Sequence, residues 1–239
     1  MSLDGIVIRS LVHELQSLIG GRIGKIHQPN ENDLLFHIRA QGSNQKLLIS
    51  ANPTFPRIHL SEHQFSNPQE APMFCMLLRK HLESGIIEEI HQVSMERIIH
   101  IDVRSRDELG DASTKRLIVE IMGRHSNIIL IDPRSGTIID GIHHVTPAIS
   151  SHRVIMPGQP YSVPPEQYKL NAFEVNPSLL SEWKTEGANQ ADASAEPAGQ
   201  DETAVQKIVN TFSGISPLVA KEVVHRAGYG AKSKWSEIE

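Results

Sequence analysis

RIGKIHQPNENDLLFHIRAQGSNQKLLISA, residues 22–51, is the stretch on which the fold turns. Arg22 to Gln28, Asp33 to Ala40 and Gln45 to Ala51 are rich in branched apolar residues, and Pro29-Asn30-Glu31-Asn32 and Gln41-Gly42-Ser43-Asn44 separate them. Both separators are turn sequences, so the runs read as consecutive antiparallel strands. Upstream, Val7, Leu11, Leu15 and Leu18 recur at helical spacing and predict a helix over Leu3 to Ile19, stopped by Gly20-Gly21. Downstream, Arg57 to Leu60 adds a short strand, and Pro72 to Ser84 reads as a second helix with Pro72 in its first turn and Gly85 just past its end. Strand patterns resume at Ile86 to Gln92, Arg97 to Val103, Lys115 to Met122, Asn127 to Ile131 and Thr137 to Val145.

Two blocks of strands around a helix, with short connections, predict an α+β domain over residues 1–165, built as a mostly antiparallel β-sandwich or split sheet. Residues 166–203 read as an irregular segment and flexible linker, since 185–203 hold almost no large apolar side chains to offset the entropy of ordering. Residues 204–239 read as the start of a helical domain, cut short at Glu239. Its helices, Val205 to Phe212 and Pro217 to Ala227, are joined by Ser213-Gly214-Ile215-Ser216, with Ser216 as N-cap. A glycine-containing helical hairpin of this kind offers backbone N–H groups to a phosphate.

The chain of 239 residues carries a formal net charge of -5, with 39% hydrophobic residues. The charge is uneven: residues 1–160 hold 16 basic against 17 acidic side chains, which leaves room for a local basic face there. No apolar run approaches the roughly 20 residues needed to span a bilayer. Met1 to Ile6 lack a basic segment leading into an apolar block, so neither a secretory signal nor a membrane is expected, and the chain reads as cytoplasmic. The single cysteine, Cys75, falls on an apolar helix face and reads as core packing.

Catalytic motifs are missing: there is no Gly-x-Ser-x-Gly elbow, no phosphate loop leading into a helix, and no His-Glu-x-x-His. The 13 histidines are scattered. His59 with His63, and His143 with His144, come nearest to ligand pairs, yet no metal or other cofactor is expected. Two polar clusters stand out instead. Glu120-Ile121-Met122-Gly123-Arg124-His125-Ser126-Asn127 lies between the apolar runs Leu117 to Val119 and Ile128 to Ile131, and reads as a hairpin whose tip carries a cation and an imidazole. Glu96-Arg97 stands at a strand entrance, where a guanidinium can stack on a base or grip a phosphate and a carboxylate can accept from base amino groups.

Asp4-Gly5 with His13-Glu14-Leu15, Gly21-Arg22-Ile23 with Lys25 to Pro29, Pro72 to His81, Glu120 to Ile129, and Phe212 to Leu218 with His225-Arg226-Ala227-Gly228 together resemble the NFACT family, in order and over nearly the whole chain. The resemblance implies a non-enzymatic ribosome quality control factor. Such proteins bind obstructed large ribosomal subunits carrying a stalled peptidyl-tRNA and recruit tRNA, in bacteria alanyl-tRNA, for template-free alanine tailing of the nascent chain. It also implies a fold like the N-terminal domain of formamidopyrimidine-DNA glycosylases followed by a helix-hairpin-helix. Those enzymes use an N-terminal proline, whereas this chain begins Met1-Ser2-Leu3-Asp4, so no action on DNA is expected. The family's Asp-Arg motif falls on Glu96-Arg97, with glutamate replacing aspartate, and its early acidic residue falls on Asp4. The expected tRNA-binding set is Asp4, Glu96, Arg97, Glu120, Arg124 and His125: the arginines for stacking or phosphate contacts, His125 for a polar loop contact, and the three acids either accepting from RNA or orienting the arginines, with holding the loop in shape as the other role open to Glu120. The rival expectation is a fibronectin-binding surface adhesin, against which the missing signal, anchor and repeats weigh.

Overall fold

The computed structural model describes residues 3–165, 167–176, 178 and 202–238, so most of the expected linker lies outside the described residues. The chain divides into two compact units. One comprises Met1–Leu3, Val7–Val93 and Arg97–Glu166, and the other Asp4–Ile6, Ser94–Glu96 and Gln167–Glu239.

Helix α1 (Gly5–Leu15) continues into a 3-10 turn, Gln16–Leu18. Strands β1 (Arg22–His27), β2 (Asp33–Ala40), β3 (Ser43–Ser50) and β4 (Arg57–Leu60) follow as a meander. Helix α2 (Met73–Leu82) comes next, with Pro72 as its N-cap residue rather than inside its first turn. Strands β5 (Ile86–Gln92), β6 (Ile98–Arg106), β7 (Ala112–Glu120), β8 (Asn127–Asp132) and β9 (Thr137–Gly141) form a second meander. The ninth strand ends earlier than its sequence pattern suggests; Val145 pairs instead with Ile155 in an isolated bridge.

The two meanders are one antiparallel sheet of nine strands, in the order β4-β3-β2-β1-β5-β6-β7-β8-β9. This corrects the split-sheet expectation. The join is made by backbone bonds from Gly20 N to Ile87 O (2.8 Å), Ile87 N to Gly21 O (2.9 Å), Ile23 N to Gly85 O (2.9 Å) and Ser84 N to Ile23 O (2.8 Å). Leu34, Phe36, Ile38, Leu47 and Ile49 of the first meander share one core with Ile87, Ile101, Val103, Leu117, Val119 and Leu130 of the second. The sheet therefore curls until both inner faces bury apolar area together, the solution a sandwich reaches with two separate sheets. Ile8, Leu15 and Leu18 seal this core, so the buried stripe of α1 runs through Ile8 rather than the half-buried Val7. Cys75 is fully buried in the same core, and burial pushes its thiol pKa up, away from the reactive thiolate.

Strands β7 and β8 are apolar on both faces because both faces are covered. Ile118, Ile129 and Ile131 alternate away from the main core into a second cluster with Ile98, Ile138 and Ile155, to which Val145 and Tyr161 add. Residues 145–161 thus act as a strap over the outer face of the second meander.

On β5 and β6, His91 and His100 are registered partners with ring centroids 5.0 Å apart. Burial, followed by the Arg116 and His91 charges, lowers the His100 pKa from 6.5 to about 4. Between those values the unfolded chain binds more protons than the folded one, so stability rises with pH there and is fully present above pH 6.5. Acidification to near pH 4 is expected to cost about 1–2 kcal/mol through this group, allowing for its partial solvation. Urea unfolding followed across pH in the parent and in His100→Gln checks this: the variant should lose that part of the slope.

In the other unit, α3 (Ala204–Thr211) and α4 (Pro217–Arg226) form a helical hairpin. Thr203 and Gln206 close a capping box on α3, and Ser216 caps α4 by accepting from Val219 N at 3.3 Å. Residue Leu170, from the segment expected to be irregular, is tied to this hairpin by Leu170 N to Thr211 O (2.8 Å) and Ser213 N to Leu170 O (2.9 Å).

Candidate nucleic-acid interface

Pairing of β6 with β7 sets Ile98 opposite Glu120, and Ile121 N donates to Arg97 O at 2.8 Å. That register carries Arg97 alongside the loop that follows β7. The loop is tight: Gly123–His125 form a 3-10 turn, with Gly123 at φ +56°. His125 N donates to Met122 O (3.1 Å), Ser126 N to Gly123 O (3.0 Å), and Met122 N to Ser126 Oγ (2.9 Å). Glycine supplies the positive φ at little cost, so the chain reverses within a few residues. Arg124 and His125 remain exposed at the tip, where Arg124 Nε donates to His125 Nε2 at 3.0 Å.

A cleft of about 250 Å³ lies beside this turn, lined by Leu3, Thr54, Pro56, Arg97, Ile121, Met122 and Gly123. Its far wall is the β3–β4 loop, which sequence reasoning did not single out. Asn52 Oδ1 accepts from Thr54 N (2.9 Å) and Phe55 N (3.1 Å), and Arg57 donates to Phe55 O (2.9 Å). Phe55, between two lining residues, is 63% exposed. A half-buried guanidinium lining a cleft, with the exposed Arg124-His125 turn continuing from its lining residue Gly123 and an exposed aromatic ring between its lining residues Thr54 and Pro56, suits an unpaired nucleotide: stacking for the base, charge for the phosphate. The available signal for Phe55 was an aromatic next to proline in a turn, which carries no periodicity.

The structure gives the other candidates different places. Glu120 is 1% exposed and holds Arg153 through both oxygens, at 2.9 and 3.0 Å, while Tyr161 donates to it at 2.8 Å. Its carboxylate is spent inside the domain on Arg153 and Tyr161, which fits the second of its expected roles, holding the loop in shape, and not that of an RNA-facing acceptor. Burial works against the Arg153 charge, and the Glu120 bonds outweigh it, so the Arg153 pKa stands above its ordinary value. Burial, then the Glu120 charge, pushes the Tyr161 pKa up and keeps it a donor.

Asp4 and Glu96 belong to the second unit. Asp4 is 7% exposed; its Oδ2 accepts from Ser216 Oγ at 2.5 Å and from Ser216 N at 3.4 Å. The anion position at the start of α4 is therefore already filled by a side chain of this chain. Glu96 is half-buried. Of the six expected residues, Arg97 lines the cleft, and Arg124 and His125 follow directly on its lining residue Gly123.

Histidines of both near-pairs have other partners. His143 Nε2 meets Asn32 Oδ1 at 2.9 Å and His144 Nε2 meets Asp140 Oδ1 at 2.7 Å, while His59 Nδ1 lies 2.8 Å from Leu60 O. Among the described residues no group of three or more potential metal ligands converges, and no helix is long and apolar enough to cross a membrane.

A profile of the NFACT N-terminal and middle domains matches residues 4–239. The chain belongs to the NFACT family. Among its NFACT relatives, the Rqc2 homolog RqcH of Bacillus subtilis is 47% identical over 233 residues, covering 97% of this chain and 39% of that protein. The ribosome quality control complex subunit NEMF homolog of Drosophila melanogaster is 31% identical over 123 residues, covering 51% of this chain and 12% of that protein. The chain therefore spans well under half the length of these relatives. The solved N-terminal domain of the fibronectin-binding protein PavA from Streptococcus pneumoniae superposes with a TM-score of 0.83 at 36% identity, over 94% of this chain and 79% of that one.

Proposed function

We propose that this NFACT chain is the tRNA-engaging part of a ribosome quality control factor. The whole protein would bind obstructed large ribosomal subunits and present alanyl-tRNA for template-free alanine tailing of the stalled nascent chain. The ribosome would form the peptide bonds, and this chain would contribute positioning and no catalytic residue. The observation that carries the reading is the cleft lined by Arg97 and Gly123, with Arg124 and His125 exposed on the turn that Gly123 begins and Phe55 exposed between the lining residues Thr54 and Pro56. Relatives named as Rqc2 homologues and as a ribosome quality control subunit support the cellular setting. In the same reading the sheet domain shares its descent with formamidopyrimidine-DNA glycosylases, and α3 and α4 are a helix-hairpin-helix whose phosphate position Asp4 has taken over.

Titration of labelled tRNA against the full chain tests the proposal. A stacked or bidentate contact contributes about 1–3 kcal/mol, so Arg97→Ala is expected to weaken binding about 10- to 100-fold. Phe55→Ala should weaken it by a similar mechanism while leaving the salt dependence unchanged. Arg124→Ala, if the side chain meets a phosphate, should lower the salt slope by about 1. Unchanged affinity in all three variants would remove the assignment.

The fibronectin-binding name of the PavA structure supports a second reading, in which the same domain binds a matrix protein. Surface plasmon resonance against immobilised fibronectin separates the two: on our reading Arg97→Ala changes tRNA binding and nothing else.

A further inference from the structure

We infer that Arg153 and Tyr161 are positioning residues for RNA binding, acting through Glu120 to hold the Gly123–His125 turn in its presenting conformation; the inference rests on the tRNA reading above. Glu120 is the last residue of β7 and is registered opposite Asn127, the first of β8, so it stands at the base of the hairpin whose tip carries Arg124 and His125. The strap over the outer face grips it there. Arg153 donates to both carboxylate oxygens and, through Nη2, to Ser162 O at 2.7 Å; its guanidinium carbon lies 5.5 Å from the centre of the Tyr161 ring. Tyr161 adds the third bond to Glu120. From the other side, Asn127 Nδ2 donates to His143 O at 2.9 Å and His143 N donates to Asn127 Oδ1 at 3.1 Å. Both residues at the hairpin base are thus fixed by chain segments remote in sequence.

The energetics favour a geometric role. A buried ion pair is close to break-even against an apolar replacement of similar volume, and here Arg153 Nε is buried with no partner among the described residues. What the network supplies is direction. The planar fork of arginine and the fixed ring of tyrosine admit one orientation of the carboxylate, and hence one path for the chain entering Ile121 and Met122. Those two residues line the cleft with Arg97.

The test uses Arg153→Lys, which keeps the charge and loses the fork, and Tyr161→Phe, which keeps the ring and loses the donor. In the full chain, amide hydrogen exchange at Gly123 to Ser126 should speed up in both while the amides of β2 and β3 stay protected. Affinity for tRNA should fall about 3- to 10-fold, as for residues that act through another. In an Arg124→Ala/His125→Ala background, neither substitution should lower affinity further, because the tip they position is gone. A loss that persists in that background marks direct contact or general destabilisation and overturns the inference, as does unaltered exchange at the turn or unaltered affinity. Failure of the tRNA reading itself shows separately, as indifference to Arg97→Ala, Phe55→Ala and Arg124→Ala alike.

Discussion

Glu120→Ala is expected to lower the free energy of unfolding by about 3–5 kcal/mol, the cost of leaving a buried guanidinium without its carboxylate. Arg153 is largely enclosed, with a side-chain exposure of 14% against 1% for Glu120, so water cannot readily replace the lost oxygens. Tyr161 would lose its acceptor in the same step. Chemical denaturation reports the change as a lower midpoint with a similar slope. The informative companion is Glu120→Leu combined with Arg153→Met. Removing both charges together should recover much of the stability that either single removal costs, because no ion is then left buried alone. A double variant as unstable as Glu120→Ala would mean that packing, not charge, sets the penalty. Because that pair would be folded but without its fork, it should still bind tRNA poorly, which separates stability from presentation.

Gly214→Ala is expected to destabilise the helical unit by about 3–4 kcal/mol, from crowding and a left-handed backbone acting together. Gly214 has φ +72°, and a Cβ there would press into the Met95 carbonyl oxygen and come within 3.1 Å of the Gly5 Cα. From the other side, a Cβ on Gly5 would meet the same carbonyl and lie 2.6 Å from the Gly214 Cα. These atoms are backbone, so no rotamer change can relieve the overlap. The control is Gly228→Ala in the same unit, at φ +89° but with open space around it. It should cost only about 1 kcal/mol, the conformational part alone. Hydrogen exchange across α3 and α4 distinguishes the two: protection should collapse in Gly214→Ala and persist in Gly228→Ala. Equal effects would show that the tight approach of Gly5, Met95 and Gly214 contributes nothing.

Much of this fold is written locally. The turn sequences 29–32 and 132–136, and the alternation of branched residues around them, place β2, β4 and β5 at the boundaries read from the sequence, and the remaining strands within a few residues. Ser216 reads correctly as a cap because the bond it makes is to its own helix, three residues on. The second apolar cluster accounts for a pattern that the sequence reading passed over: the run Ile128 to Ile131 lacks alternation because both faces of its strand are covered.

What local pattern could not carry was partnership across long separations. Glu120 reads as a polar residue at a strand end, whether it faces solvent or Arg153, because its acceptors are satisfied by a residue 33 positions away. Asp4 reads as a free acid until Ser216, 212 positions away, claims it. Phe55 has no periodic signal at all.

By itself, then, the sequence determined the strand and helix content, the turns, the Ser216 cap and the family, since each rests on interactions within a few residues or on motifs kept in order. Only the tertiary structure decided that the two meanders make one curled sheet, that Arg97 shares a cleft with the Gly123 turn, and that Glu120 works from inside. The physical reason is that burial and pairing of charges depend on which distant segments the fold brings within about 4 Å, and neither composition nor spacing encodes that.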